Sequence, residues 1–181
     1  MIAYHAVTER PMREGQTIVF DENRRSGVYR RVKDKLQIVS EIYADPEKYK
    51  GVPLEHHTAV ALRELAMEEV RREKYPQYPS RMGCLYVSQT LNEAVQWGEF
   101  FARIGRPTYS IVELDITGNV FIGEATRCFD GTSDKSENMR LAQHYWNIDQ
   151  APDSPREVRE ILAGGEINVL RIVKEINANI G

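Results

Sequence analysis

Apolar and polar positions change their spacing along the first half of the chain. Residues 2–7 and 15–20 form short apolar runs rich in aromatic and β-branched side chains, which are typical of strands. Over residues 28–49 and again over 54–74, apolar side chains recur three or four positions apart, which is the spacing of amphipathic helices. The pattern therefore predicts two opening strands followed by a helical segment at about residues 27–75.

A strand followed by a helix is the best-marked step in the middle of the chain. Residues 85–88 (LYVS) are typical of a strand, and Thr90 with Glu93 forms a capping-box pattern at the start of a helix. Gly105 and Pro107 end that helix. Two further elements are thus predicted between the helical segment and the second half of the sequence.

Two more strands are expected over residues 109–116 and 119–125. The glycine and asparagine between them, at 118 and 119, predict a tight turn that joins the two strands. Residues 126–136 are polar and aperiodic, and their last part, 130–136, reads DGTSDKS, so this segment is predicted to be a loop.

The last third of the chain is expected to contain two helices and a closing strand. Residues 138–146 predict a short helix, and Ser154, Pro155 and Glu157 supply the cap pattern of another helix that ends at a glycine pair. Glu166 begins EINVLRIVKEI, in which apolar positions recur with the period of a strand.

The order of these elements excludes the regular strand–helix alternation of a doubly wound fold, because strands lie at both ends and helices in the middle. We expect an α+β fold with a split, mixed β-sheet flanked by helices. The whole of residues 1–181 is predicted to form a single domain, since two domains of this combined length would each have a thin core.

The composition indicates a globular protein but does not indicate its function. Hydrophobic residues make up 41% and charged residues 28% of the chain, a balance typical of globular proteins. The net charge of -3 gives no overall attraction to nucleic acid or anionic lipid, so a contact with nucleic acid would need a local basic patch. The sequence has two cysteines, no leader pattern and no apolar run of about 20 residues, which predicts a cytoplasmic location and no membrane contact.

Common catalytic motifs are absent: the sequence lacks GxGxxG, GxxxxGK[ST], HExxH and GxSxG. His56 and His57 are adjacent, so on a helix their rings point about 100° apart and are poorly placed to bind one ion. No metal site is predicted.

Three strand-borne motifs remain: AYHAV around His5, CLYVS around Tyr86 and GGEINVL around Glu166. Their order resembles the His-Tyr-Glu class of the ADP-ribosyltransferase superfamily and a group of bacterial proteins that neighbour it. The resemblance implies an ADP-ribosyltransferase-like fold with an NAD cleft between the halves of the sheet, and it makes the segment at about 27–75 an insertion.

The resemblance also implies a reaction, the transfer of ADP-ribose from NAD to a macromolecular acceptor with release of nicotinamide. Glu166 would stabilise the oxocarbenium-like state, Tyr86 would stack on nicotinamide, His5 would hold the adenosine-side ribose, and Ser88 would brace the glutamate. Each of these residues also has a purely structural interpretation. His5 could be a hydrogen-bonded structural histidine, Tyr86 a core aromatic residue, and Glu166 an exposed acid at the start of a strand.

Other residues compete for roles or support them. Glu113 and Glu124 are alternative catalytic acids. Arg81 and Arg10 could bind the diphosphate of NAD, although arginines in loops are usually solvated. Residues 144–146 (HYW) could stack an acceptor or belong to the core.

The acceptor is left open as protein or nucleic acid. Members of the family typically carry Gln or Glu two residues before the catalytic glutamate, and here that position is Gly164. This difference weakens the case for a protein acceptor. Two other functions stay in view: a non-catalytic binding module on the same fold, and an RNA 2′-phosphotransferase-like enzyme, which typically needs clustered basic residues. Small transferases of this class act as toxins or in phage defence, a role that would require a neutralising partner protein.

Overall fold

The computed structural model describes residues 1–149 and 158–176. Seven strands and six helices alternate irregularly along this part of the chain. In order they are β1 (Ile2–Thr8), β2 (Thr17–Val19), α1 (Gly27–Lys33), α2 (Leu36–Ala44), α3 (Pro46–Tyr49), α4 (His56–Lys74), β3 (Leu85–Val87), α5 (Leu91–Arg103), β4 (Thr108–Ile116), β5 (Val120–Glu124), α6 (Lys135–Trp146), β6 (Arg159–Ala163) and β7 (Glu166–Glu175).

The strands form two sheets. The large sheet has the order β1-β4-β7-β2 and the small sheet the order β3-β6-β5. Every strand pairing in the described residues is antiparallel. The α+β class and the split are therefore confirmed, whereas the prediction of a mixed sheet is wrong.

The layers stack because each sheet has two apolar faces. The facing sides of the two sheets share one core, which contains Val112, Leu114 and Ile167 of the large sheet and Ile161 and Ala163 of the small sheet. Burial of this surface stabilises the fold by the hydrophobic effect.

Helices cover the two outer sides. α5 packs Ala94 against Ala6 and Ile111 on the outer face of the large sheet. On the outer face of the small sheet, Phe121 and Leu162 pack with side chains of α4 and α6. The order of layers is thus α5, large sheet, small sheet, and then α4 with α6.

The helical segment between β2 and β3 differs from the prediction in one respect. Residues 28–49, expected as one helix, form the three short helices α1, α2 and α3. Val32, Ile42 and Leu62 bury their side chains in one cluster that holds these helices on α4. The capping box of α5 is present as predicted, with Glu93 N donating to Thr90 Oγ1 and Thr90 N donating to Glu93 Oε2.

The prediction of a helix after Ser154 is wrong for the residues that the structure describes, because residues 159–163 form strand β6. β6 is the central strand of the small sheet, hydrogen-bonded on both sides. Ile161, Leu162 and Ala163 are all buried, so their packing on two faces outweighs the local preference for a helix. The predicted cap residues 154–157 lie outside the described part of the chain.

The tight turn predicted at residues 118 and 119 does not form a hairpin, because β4 belongs to the large sheet and β5 to the small sheet. The chain crosses between the sheets here, directly against a second crossing at Gly164 and Gly165. A Cβ placed on Gly118 would lie 2.0 Å from the carbonyl oxygen of Gly164. Glycine is required by this close approach of two backbone segments.

The loop predicted over residues 126–136 is largely confirmed, with a 3₁₀ turn at Ala125–Arg127 and the start of α6 at Lys135. Asn138 is fully buried and donates to Thr132 O at 2.7 Å and to Tyr43 Oη at 2.8 Å. These bonds fasten the loop to the helical segment.

Candidate functional site

The two sheets meet along a seam, defined here by Tyr4 of β1 and Ser88 just after β3. Tyr4 N donates to Ser88 O at 2.9 Å, and Ser88 N donates to Tyr4 O at 2.7 Å. Next to this bridge, His5 Nδ1 lies 2.8 Å from the carbonyl oxygen of Tyr86. The structure therefore brings together the first two predicted motifs.

The seam fixes the tautomer of His5. A carbonyl oxygen can only accept, so Nδ1 carries the proton and Nε2 keeps its lone pair in the neutral ring. Burial lowers the pKa of His5 below its usual value; the hydrogen bond to Tyr86 opposes this shift, and Arg106 adds to it. A neutral His5 can accept a hydrogen bond from a hydroxyl group through Nε2.

His5 should make the stability of the protein depend on pH. Because its folded-state pKa is lower than the ordinary value of 6.5, the unfolded chain binds the proton more readily. The contribution is fully present above pH 6.5 and is lost as the pH falls through the folded-state pKa. We expect denaturant unfolding to show this loss in the parent and to show a smaller loss in His5→Gln.

His56→Gln is the matched control, since His56 is exposed at the start of α4. The two variants should differ in the pH dependence of their unfolding free energies. An identical pH dependence in His5→Gln and the parent would contradict the assignment of a half-buried, neutral His5.

Arg81 lies at the centre of a buried polar cluster on the helix side of the small sheet. Its Nε and Nη2 donate to the two oxygens of Glu64 at 2.8 and 3.1 Å, and its Nη1 donates to Tyr145 Oη at 2.6 Å and to Glu160 Oε1. Arg81 is only 5% exposed, and its guanidinium carbon lies 5.6 Å from the centre of the Tyr86 ring. Arg81 fits neither of its two expectations, a ligand of the NAD diphosphate or a solvated loop arginine, because it is buried and protein groups accept from its guanidinium.

In this cluster, burial and charge pairing shift the pKa values in opposite directions. Burial alone would raise the pKa of Glu64, but the charge and hydrogen bonds of Arg81, with help from Arg63, lower it overall. Burial raises the pKa of Tyr145 and of Tyr86, and Arg81 partly opposes both shifts. The cluster therefore holds the ionised Glu64 carboxylate beside neutral phenols.

Glu160, the half-buried acid of β6, joins this cluster. The register pairs Tyr86 of β3 with Leu162 of β6, and Glu160 is two residues before Leu162. Because alternate residues of a strand share a face, Glu160 lies on the same face as Tyr86. Its Oε1 accepts from Arg81 Nη1 and from Tyr145 Oη, and its side chain is 17% exposed.

Sequence reasoning missed Glu160 because residues 154–163 were interpreted as a helix, on which this acid had no special position. The usable signal was a glutamate directly before three apolar residues and a glycine pair. Both β6 and β7 carry a glutamate at or near their start, and only the strand pairing distinguishes Glu160 from Glu166.

Glu166 does not lie with His5. Ile167 pairs with Ile116, and Ile116 shares a face of β4 with Val112, which pairs with His5. That face is the core face between the sheets. Glu166 precedes Ile167 by one residue, so it points to the opposite, outer face and is exposed. The prediction that His5, Tyr86 and Glu166 converge is therefore wrong.

The two alternative acids are engaged elsewhere. Glu113 is ion-paired with Arg171 on the outer face of the large sheet. Glu124 ends β5, is buried and is ion-paired with Arg127 at 3.1 Å. Arg10 is exposed just after β1. None of these three predicted residues is brought to the seam by a hydrogen bond that we observe in the described chain.

The HYW segment belongs mainly to the core, as its structural interpretation predicted. Tyr145 and Trp146 are fully buried, and Trp146 Nε1 donates to Met67 O at 2.9 Å. Tyr145 nevertheless reaches the candidate site through its hydroxyl group, which donates to Glu160.

One comparison with known proteins identifies a family. Residues 3–175 match the family described as "Protein of unknown function (DUF2441)". The chain belongs to this family. The match extends from β1 to the end of β7, so both sheets, the seam and Glu160 lie inside it. No curated protein matches the chain significantly.

Other features of this family member limit the chemistry of the site. Within the described ranges, no group of three His, Cys, Asp or Glu side chains could hold a metal ion. Both cysteines are free, and burial raises the pKa of the Cys84 and Cys128 thiols, which disfavours the reactive thiolate. No helix in residues 1–149 or 158–176 has the length and apolar character needed to cross a membrane.

Two cavities lie away from the seam. One of about 490 Å³ is lined by residues of the α3–α4 connection and of the loop before α6, including His56 and Asp130. The other, of about 230 Å³, lies at the crossing of the two sheets and is lined by Arg25, Tyr78 and Gly165 among others. Neither cavity is lined by the side chains of His5 or Glu160.

Proposed function

We propose that this protein is an NAD-dependent ADP-ribosyltransferase in which Glu160, and not Glu166, is the catalytic acid. The observation that supports this most is the meeting of the His5 and Tyr86 motifs at the seam, with a carboxylate on the strand next to Tyr86. The split into two antiparallel sheets is in keeping with an ADP-ribosyltransferase-like fold. The reaction releases nicotinamide and transfers ADP-ribose to a macromolecular acceptor.

Each residue has a task that its surroundings support. As the bond between ribose C1′ and the nicotinamide nitrogen breaks, positive charge develops on the ribose and the electron pair leaves with nicotinamide. The Glu160 carboxylate stabilises that charge. Both of its hydrogen bonds use Oε1, so Oε2 can accept from a ribose hydroxyl.

The aromatic and imidazole rings would position the donor. Tyr86 is 37% exposed, so part of its ring is open for stacking on nicotinamide. Nε2 of a neutral His5 can accept a hydrogen bond from the other ribose. Ser88 lies at the seam beside both residues and supports their placement through its two backbone hydrogen bonds.

A non-catalytic binding module is the second candidate, and one observation favours it. Arg81 forms an ion pair with Glu160, so part of the charge of the carboxylate is already neutralised. In this alternative the same residues would bind NAD or a partner without breaking the glycosidic bond.

Incubation with NAD labelled on the adenosine side separates the two functions. The chain should release nicotinamide and transfer label to a component of a cell lysate, which mass spectrometry identifies as protein or nucleic acid. NAD binding by calorimetry without nicotinamide release would favour the binding module. Absence of both binding and release would refute the proposed transferase.

A further inference from the structure

Five exposed basic side chains lie close together in the sequence, on α1 and directly before it. We define this basic surface as Arg24, Arg25, Arg30, Arg31 and Lys33. Residues 24–33 contain no acidic residue, and Asp21, Glu22 and Asp34 flank them. The surface is therefore a local positive region on a protein whose net charge is -3.

The fold of α1 exposes these charges. Val28, Tyr29 and Val32 pack into the cluster that α1 shares with α2 and α4. The apolar side of the helix is thus buried, and the arginines at 30 and 31 project to solvent. The basic surface is a consequence of amphipathic packing.

These cations differ from most other arginines of the protein in their lack of acidic partners. Arginines on α4, α6 and β7 form ion pairs with nearby carboxylates. In the described part of the chain, the only ion pair we observe for the basic surface joins Arg30 to Glu9 at 3.4 Å. Unpaired, exposed guanidinium groups favour binding of an external anion.

The chemistry of the surface favours nucleic acid over other anionic partners. Arginine binds phosphate bidentately with its planar guanidinium, and four of the five cations of the basic surface are arginines. A lipid surface would instead require exposed apolar anchors, but the valines of α1 are packed inside.

The basic surface is joined directly to the candidate site. Ser26, between the two arginine pairs, donates through N to Met82 O at 2.9 Å and through Oγ to Arg81 O at 3.0 Å. Arg81 in turn binds Glu160. Arg81 therefore connects the start of α1, through its backbone, to Glu160, through its side chain.

We propose that the basic surface binds single-stranded nucleic acid and that this strand is the acceptor; its role as acceptor rests on the proposed function. A nitrogen or oxygen of the strand forms the new bond to ribose C1′ as the nicotinamide bond breaks, and the proton of that nucleophile passes to water. An unpaired base is required because a base in a duplex is stacked and cannot reach a recessed carboxylate.

The test measures binding with labelled single strands of about 20 nucleotides, one of DNA and one of RNA, by fluorescence anisotropy. The full chain should bind at least one of them, with an affinity that decreases as salt increases. In the variant Arg24→Gln/Arg25→Gln/Arg31→Gln, affinity should decrease at least about tenfold and the slope of log K against log salt should fall by about 2.

The matched control is Arg72→Gln/Arg103→Gln/Arg140→Gln, which removes the same charge from exposed arginines on α4, α5 and α6. It should bind the strands nearly as the parent does. Equal losses in both triple variants, parent-like binding by the first, or equal binding of a polyglutamate peptide or anionic vesicles would overturn the proposal. Nicotinamide release without strand binding would refute only this inference, and strand binding without release would refute only the transferase function.

Discussion

Glu160→Gln should reduce the rate of nicotinamide release from NAD by about 100-fold or more, equivalent to roughly 2.7 kcal/mol of lost transition-state stabilisation. Glutamine keeps the size of the side chain and one accepting oxygen but removes the negative charge. NAD affinity should fall much less, because the ground-state donor carries little of the developing charge. Nicotinamide release at saturating NAD and calorimetric binding measure the two effects separately.

Glu166→Gln is the matched control, because it makes the same change at the start of the neighbouring strand on the outer face of the large sheet. Glu113→Gln and Glu124→Gln extend the comparison to the other acids. Thermal unfolding checks that each variant is folded. If Glu166→Gln is inactive while Glu160→Gln retains the parent rate, the catalytic acid has been misassigned.

Tyr145→Phe keeps the proposal testable if Glu160→Gln disturbs folding, since it removes one hydrogen bond to Glu160 and leaves the carboxylate in place. Loss of this hydrogen bond should leave the carboxylate less well positioned and lower the rate of nicotinamide release. A rate identical to that of the parent would indicate that the position held by Tyr145 does not matter for the action of Glu160.

Arg81→Met should lower the free energy of unfolding by about 3 to 5 kcal/mol, because it leaves two carboxylates without their shared cation. Glu64 is 1% exposed and receives two hydrogen bonds from Arg81. Methionine fills much of the volume of the arginine side chain, so the loss of unfolding free energy is mainly electrostatic. Denaturant unfolding at neutral pH measures this difference.

The pH dependence of this loss follows from Glu64. Its pKa is lowered in the folded protein, so its contribution is present above the ordinary value of 4.5 and is lost as the pH falls through the folded-state pKa. The difference between parent and Arg81→Met should therefore narrow in acid. Arg140→Met removes an exposed partner of Glu137 and should leave the free energy of unfolding nearly unchanged. A similar small cost for Arg81→Met would contradict the structural role of the cluster.

The elements best predicted from sequence carry their own local signals. β1, β3 and the capping box of α5 depend on short apolar runs and on a pair of residues three apart, and all three are present. β6 depends instead on partners from β3 and β5, which are distant in the chain. The local cap residues favoured a helix over this segment, but pairing with β3 and β5 stabilises a strand instead.

The candidate site shows the same limit. His5 and Tyr86 could be singled out from their motifs, and the structure brings the His5 ring to the backbone of Tyr86. The choice between Glu160 and Glu166 depends on which face of which sheet each residue occupies. A shift of one residue along a strand moves a side chain to the other face, and register is not visible in one sequence.

The contact of Gly118 with Gly164 and Gly165 has a consequence for folding. At this point the chain leaves the large sheet for the small one and later returns, and the two passages lie backbone against backbone. The strands of the two sheets are interleaved along the chain, so each sheet joins segments that are separated by strands of the other. We expect the two sheets to form in one cooperative transition, slowed by the long loops that must close before their strands pair.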